Sequence, residues 1–162
     1  MLLTETVRTS GLDSAMRAAL GPWRKPFAVH DPAKVVLDLA LTLATGGDCL
    51  ADVAALRAEP GVFGPVASDP TVSRTVDALA ADAPAAVKAI KAARAQARAT
   101  VWDLAGEHAP DHDTSAARPL IVDVDATLVG SHSEKEKAAA TFKRGYARLT
   151  TLSVMALPTS RV

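Results

Sequence analysis

The sequence predicts a mainly α protein, in which a helical N-terminal segment precedes the opening strand or strands of an α/β domain. Three observations lead to this fold class. Apolar residues make up 49% of the 162 residues and aromatic residues only 4%, with alanine, the strongest helix former, among the main contributors. Asp-Pro pairs at 31–32 and 69–70 are typical helix starts. The first run with strand character begins only at Pro119, so we expect the first two-thirds of the chain to be helical.

Capping and helix-breaking residues divide the helical segment into five predicted helices. Aspartate favours the N-cap position, and proline suits the first helical position because its missing N–H would be unpaired there anyway. Glycine and proline mark the helix ends. The predicted helices run from Asp13 or Ser14 to Leu20, from Asp31 to Gly46, from Asp48 to Ala58, from Asp69 to Leu79, and from Pro84 to Gly106. The second is the most apolar and is predicted to be the central core helix.

Two carboxylates lie two residues apart in the predicted strand at 120–125, for which an extension to Val129 stays open. Side chains alternate between the faces of a strand, so Asp123 and Asp125 are expected on the same face. A pair of charges on one face of a buried strand indicates a metal ion or a shared proton. The alternative is two solvated carboxylates on an exposed edge strand.

The run Ile-Val-Asp-Val-Asp-Ala-Thr-Leu-Val resembles the first motif of the haloacid-dehalogenase-like phosphohydrolases. That resemblance implies that Asp123 is the nucleophile, that Asp125 is the general acid and base, and that Mg²⁺ lies nearby. The same family needs a later Ser or Thr, a Lys and further metal-binding acids. The printed sequence has no acid after Glu136.

A longer stretch resembles the DDE transposases of bacterial insertion sequences, which have an RNase H-like catalytic core. Residues 119–146 are similar to that family's first catalytic block, from the Asp-x-Asp-x-Thr strand to Phe-Lys-Arg-Gly-Tyr, and residues 47–52, 56–57 and 67–74 resemble its N-terminal domain. The resemblance implies that Asp125 is the first acid of the catalytic triad, with Asp123 its neighbour. Both would be ligands of Mg²⁺ in two-metal phosphoryl transfer. Double-stranded DNA at the element's terminal repeats is the implied partner, and a homo-oligomer is allowed.

By this resemblance, residues 1–108 form a helical DNA-binding domain, 109–118 a linker and 119–146 the start of the catalytic domain. The sequence departs from the family after Tyr146, and the tail 147–162 contains no acid. We therefore interpret the chain as a truncated transposase with a tail that is out of frame or foreign. Since two of the three catalytic acids are missing, we expect it to be inactive alone. A non-catalytic DNA-binding fragment is the third hypothesis. We also expect residues 119–162, for lack of partner strands, to be loosely ordered or packed opportunistically on the helical domain, and 31–106 to be compact.

Basic residues recur at spacings of three and four along the predicted helix 84–106, where residues 83–100 contain no acid. This basic stripe consists of Lys88, Lys91, Arg94 and Arg98. It is expected either to neutralise DNA phosphates or to be a solvated helix face. Residues 48–58 and 70–79 suggest a helix-turn-helix that offers Arg74 to a groove, although the intervening segment is longer than usual. His132, near the Asp pair, is a further candidate for a phosphate contact; a turn residue in water is the alternative.

Composition excludes several classes of protein. Lys+Arg and Asp+Glu number 18 each, so the net charge alone argues neither for nor against a polyanionic partner. A single cysteine, Cys49, excludes an intramolecular disulfide framework, and we expect a free, buried thiol. The N-terminus does not resemble a secretory signal, and no apolar run is long enough to span a membrane. These features predict a cytoplasmic protein.

Overall fold

The computed structural model describes the backbone of residues 2–130, 139–140 and 146–157, and the side chains of residues 2–120. The chain divides into two compact units, Met1–Leu104 and Ala105–Val162. The segment with described side chains is mainly helical, which confirms the predicted fold class. Its α-helices are α1 (Leu2–Thr9), α2 (Leu12–Ala19), α3 (Pro32–Ala44), α4 (Val53–Arg57), α5 (Pro60–Phe63), α6 (Asp69–Ala80) and α7 (Ala83–Ala105). Short 3-10 helices occupy Gly21–Trp23, Leu50–Asp52 and Gly106–His108.

Helix α3 begins and ends as its sequence predicts. The Asp31 carboxylate accepts a hydrogen bond of 2.9 Å from the backbone N–H of Ala33, and Pro32 is the first helical residue. After the helix, Gly46 adopts a φ of 98°, which glycine reaches without steric cost. Gly47 then passes close to the helix, since a Cβ atom there would lie 2.6 Å from the Thr42 Cγ2 atom. The return of the chain after α3 therefore requires glycine.

Two helical segments were not expected from the sequence. Helix α1 has no buried residue, and an ion pair of 2.6 Å between Arg8 and Glu5 lies on its exposed face. Helix α5 starts at Pro60, a residue expected to end the preceding helix. Proline can follow the end of one helix and can also occupy the first turn of the next, so Pro60 is consistent both with the predicted helix end and with the observed start of α5.

Helix α3 separates two hydrophobic clusters and contributes to both, which confirms it as the central core helix. Its residues Val35 and Leu41 belong to a cluster completed by Val53, Leu56, Val66, Ala67 and Val72. Its residues Ala33 and Leu37 belong to a second cluster, formed with Ala15, Met16, Leu20 and Ala93. The first cluster joins α3 to α4 and α6, and the second joins it to α2 and α7. Val76 lies one turn after the buried Val72 on α6 but is 41% exposed.

Helices α4 and α6 are fastened by one side chain. The Arg57 guanidinium donates to the Ala67 carbonyl oxygen at 2.9 Å and to the Asp69 carboxylate at 2.6 Å. Asp69 is thus the first residue of α6 and a partner of Arg57, while Ser68 occupies the N-cap position. The predicted start of this helix is right, but its aspartate contributes through an ion pair instead of a side-chain cap.

The second unit contains an antiparallel sheet with strand order β1-β3-β2, formed by β1 (Ile121–Gly130), β2 (Ala139–Ala140) and β3 (Tyr146–Leu157). β1 and β3 pair from Ile121↔Leu157 to Gly130↔Ala147, and the register shifts between Thr127 and Leu128. The expectation that the predicted strand lacks a partner is therefore wrong. The tail supplies that partner because its threonines, valine and leucines favour extended backbone.

Candidate nucleic-acid interface and acidic strand

Helix α7 has one buried and one basic side. Its buried residues are alanines, Ala86, Ala93 and Ala97, which lie on one face at helical spacing. The basic stripe lies away from this face. Its members Lys88, Lys91, Arg94 and Arg98 are all exposed. The sequence therefore predicted correctly that these cations lie on the solvent side of the helix.

The cations of the basic stripe are electrostatically uncompensated within the segment whose side chains are described. Among residues 2–120, no side-chain hydrogen bond or ion pair joins any of the four to another residue. Other arginines of this segment are paired: Arg8 with Glu5, Arg24 with Asp31 and Arg57 with Asp69. An exposed and unpaired row of cations is the arrangement that phosphate binding requires, because no internal partner has to be displaced.

Helix α6 places Arg74 at a cleft. The guanidinium donates to the Thr71 hydroxyl at 3.0 Å, and the Thr71 hydroxyl also lies 3.1 Å from the Ser68 hydroxyl. The predicted helix-turn-helix is not formed by adjacent helices, because α5 lies between α4 and α6. Arg74 is exposed, but it borders a concave surface.

This cleft, of about 390 Å³, lies between α6 and the segment that joins α2 to α3. Thr71, Arg74, Thr75 and Ala78 line it from α6. The joining segment contributes Trp23, Lys25, Ala28, Val29 and His30, and Pro32 lines the cleft from the start of α3. The cleft was not predicted from the sequence, since its two walls are distant along the chain and no local pattern connects them.

The acidic strand is β1. Asp123 and Asp125 lie opposite Met155 and Ser153 on β3, and their spacing of two puts both positions on one face of the sheet. Two carboxylates are donors that suit Mg²⁺, so the residue types fit a divalent metal. His132 lies outside the described residues, and its predicted phosphate contact stays a prediction.

A second acidic group lies at the turn after α3. The ligand atoms of Asp48, Cys49 and Asp52 lie within 4.8 Å of one another. The Asp52 carboxylate accepts hydrogen bonds of 2.9 Å from the backbone N–H groups of both Asp48 and Cys49, which lower its pKa. That carboxylate therefore has a structural role in capping the 3-10 helix. Cys49 is exposed, so the predicted burial of its thiol is wrong; the residue lies in the turn, outside the core.

A partly buried ion pair on α3 was also not predicted from the sequence. The Lys34 ammonium lies 2.5 and 2.6 Å from the two carboxylate oxygens of Asp38, whose side chain is only 2% exposed. Burial raises the pKa of Asp38, and the hydrogen bond from Lys34 opposes that rise. The signal available in the sequence was an aspartate among apolar residues of the central helix, paired four positions back with a lysine.

Comparison with known families identifies the class of protein. A model of the transposase DDE domain matches residues 1–150, nearly the whole chain, which confirms the predicted resemblance. The protein is therefore a DDE transposase-type chain, and it belongs to the family described as transposase DDE domain group 1. Members of this class act on DNA and use a divalent metal ion. No curated protein and no solved structure matches the chain.

Membrane insertion is not indicated by the helices. None in the described part of the chain is both long enough and apolar enough to cross a bilayer.

Proposed function

We propose that the helical unit binds double-stranded DNA at the ends of a mobile element, through phosphate contacts made by α7. The observation that carries this proposal is the exposed basic stripe, which has no acidic partner among residues 2–120. Family membership supplies DNA as the substrate. Protein cations that neutralise phosphates release counterions condensed on the DNA. This counterion release supplies much of the binding free energy, so the affinity depends steeply on salt concentration.

We further propose that β1 carries the first acid of the DDE triad. By this proposal, residues 1–108 bind DNA, 109–118 link, and 119–146 open an RNase H-like catalytic domain. Asp125 holds the metal as the first triad acid, and Asp123 is a second ligand on the same face. Bound Mg²⁺ would activate the attacking oxygen and stabilise the leaving oxygen. The paired β1 strand supports the proposal, because a metal-bridging carboxylate needs a fixed backbone.

We propose that the 162-residue chain by itself lacks strand-transfer activity. Asp125 accounts for one acid of the triad, and the sequence contains no carboxylate after Glu136 to supply the others. Binding without catalysis is then the expected activity, in the cytoplasm where we place the protein.

Neutralising the basic stripe tests the DNA-binding proposal. We expect the variant with Lys88, Lys91, Arg94 and Arg98 all replaced by glutamine to bind duplex DNA more weakly. The slope of log K against log salt concentration should fall by about 0.9 per lost contact, or about 3.6 in all. Fluorescence anisotropy of a labelled 30-bp duplex over a series of salt concentrations measures both quantities.

A matched pair of double variants controls for the loss of charge. Arg94→Gln/Arg98→Gln removes two unpaired cations of the stripe, and Arg8→Gln/Arg118→Gln removes two cations that already have acidic partners. The first variant should reduce the slope by about 1.8 and the second by much less. Equal reductions would show that the stripe is a solvated face and that only net charge matters.

The phosphatase hypothesis makes the opposite prediction for activity. If Asp123 were a nucleophile, the protein with Mg²⁺ would hydrolyse p-nitrophenyl phosphate, and Asp123→Asn would abolish turnover. We expect no turnover above buffer with Mg²⁺. Asp123-dependent hydrolysis would overturn the transposase assignment of the Asp pair.

A further inference from the structure

The cleft between α6 and the segment 23–32 carries two cations and no acid. Lys25 and Arg74 line it from its two walls, and no carboxylate is among its lining residues. The nearby Asp31 is already engaged, since its carboxylate caps α3 and pairs with arginines that do not line the cleft. Among residues 2–120, the Lys25 side chain has no hydrogen bond or ion pair. The positive charge of the cleft is therefore open to an anionic ligand.

Both cations of the cleft are positioned by local structure. The Ala28 N–H donates to the Lys25 carbonyl oxygen at 3.1 Å, which closes a turn and fixes the backbone there. The Arg74 guanidinium donates to the neutral Thr71 hydroxyl at 3.0 Å, so it is oriented without losing its charge. Its remaining N–H groups form a planar fork that matches the oxygens of a phosphate. The cations of the basic stripe have no such side-chain contact among the residues with described side chains.

The rest of the lining suits a phosphate as well. Trp23 is half-buried and packs against the cluster shared by α2, α3 and α7, so its ring belongs to the wall of the cleft. Besides the two cations, the polar groups of the lining are two threonine hydroxyls and one imidazole. The cleft, of about 390 Å³, is large enough to admit a phosphate group. Its ligand class is therefore the same as that of the basic stripe, the sugar–phosphate backbone of DNA.

The cleft and the basic stripe are close enough to contact one duplex. Helix α6 ends at Ala80 and α7 begins at Ala83, within one compact unit. The backbone path from Arg74 to Lys88 is at most about 28 Å, which is shorter than one helical turn of B-DNA at about 34 Å. A single duplex can therefore meet cations of both surfaces.

We propose that Lys25 and Arg74 form a phosphate clamp, which grips the backbone of the same duplex that the basic stripe contacts. This inference rests on the proposed DNA binding and extends it to residues on α6 and on the segment before α3. The two surfaces differ in role. The stripe supplies charge along α7, whereas the clamp holds a phosphate with an oriented guanidinium and so fixes where the protein lies on the duplex.

Neutralising the clamp in the full 162-residue chain tests the proposal, with the labelled 30-bp duplex as the probe. Lys25→Gln/Arg74→Gln should weaken binding about tenfold or more and lower the salt slope by about 1.8, or about 0.9 for each lost contact. Adding the four stripe substitutions should lower the slope by about 5.4 in all, because contacts to one duplex add. An unchanged slope in the folded double variant would overturn the clamp, as would a combined loss no larger than that of the stripe variant alone.

Two further substitutions test the orientation of the guanidinium. Arg74→Lys keeps the charge but not the planar fork, so it should weaken binding about threefold or more with little change of slope. Thr71→Val removes the hydroxyl that orients Arg74 and should have a similar effect, but none when Arg74 is already glutamine. Thr6→Val, which removes an exposed hydroxyl on α1, is the control and should bind as the parent does. Parental binding by Arg74→Lys would overturn the clamp.

The remaining controls separate the clamp from net charge, from the α7 proposal and from a free-nucleotide site. Arg8→Gln/Arg118→Gln removes two paired cations outside the cleft and should lower the slope much less. Far-ultraviolet circular dichroism confirms that each variant is folded. If the stripe variant binds normally while the clamp variant does not, the α7 proposal fails and the clamp stands; the reverse pattern eliminates the clamp alone. Calorimetric titration with dTMP should show no binding, and binding that depends on Lys25 and Arg74 would overturn the duplex assignment.

Discussion

Replacing Leu20 by alanine is expected to destabilise the helical unit by about 3 kcal/mol, within the range of about 2–5 kcal/mol for such changes. Leu20 is 0% exposed and belongs to the cluster that α2, α3 and α7 share. Its backbone N–H also closes α2 by donating to the Met16 carbonyl oxygen at 2.9 Å, so the chain there has little freedom to collapse around a cavity. Urea unfolding followed at 222 nm should show a lower midpoint with an unchanged slope m.

Leu43→Ala is the matched control for this variant. Leu43 lies on α3 and is 65% exposed, so the same truncation there should change the free energy of unfolding by about 0.5 kcal/mol or less. Equal losses at Leu20 and Leu43 would contradict the described core. The comparison tests the placement of α2 against α3 without reference to DNA.

Replacing Lys34 by methionine is expected to cost about 3 kcal/mol at neutral pH, because it leaves the Asp38 carboxylate buried and unpaired. Methionine retains most of the side-chain volume, so the loss is mainly electrostatic. The double variant Lys34→Met/Asp38→Leu should recover much of the stability, since both partners become apolar. Thermal and urea unfolding of the two variants measure the difference.

The pH dependence of the stability of the Lys34→Met variant shows whether the buried Asp38 charge causes the loss of stability. Burial raises the pKa of Asp38, and Lys34 lowers it, so removing Lys34 raises the pKa of Asp38 further. The folded state then binds a proton more tightly than the unfolded state, whose pKa stays near the ordinary aspartate value. Stability relative to the parent should therefore rise as the pH falls through the folded-state pKa of Asp38. A deficit that is constant from neutral to acidic pH would show that packing, and not the buried charge, accounts for the loss.

The elements that were predictable from sequence are those with local chemical signals. Asp31-Pro32 marks the start of α3 and Gly46 its end, since capping and positive φ are properties of single residues. The position of Arg57 between Ala67 and Asp69 was not predictable, because it depends on the fold. β3 was missed for a different reason. Its threonines and apolar residues favour extended backbone, but a strand preference alone does not say which strand it will pair with.

The candidate sites also differ in whether local sequence signals predict them or only the fold creates them. The basic stripe follows from helical spacing alone, so its exposure on α7 was predictable. The spacing of Asp123 and Asp125 likewise predicts a shared face of β1. The cleft joins Lys25 to Arg74 across two segments that are distant along the chain, so no local pattern predicts it.

Because the buried face of α7 consists of alanines, α7 is expected to detach before the clusters around α3 open. Ala86, Ala93 and Ala97 bury little apolar surface each, so undocking α7 costs less than opening the leucine- and valine-rich clusters around α3. An alanine-rich helix of 23 residues retains part of its helical structure even when it detaches. Amide protons at the contact between α7 and the core should therefore exchange through a small local fluctuation, before those of α3. DNA bound along the outward side would contact several cations of this one helix. It is expected to slow the exchange only if it also holds α7 against the rest of the helical unit. The exchange rates would therefore show whether α7 binds DNA while it is docked or after it has detached.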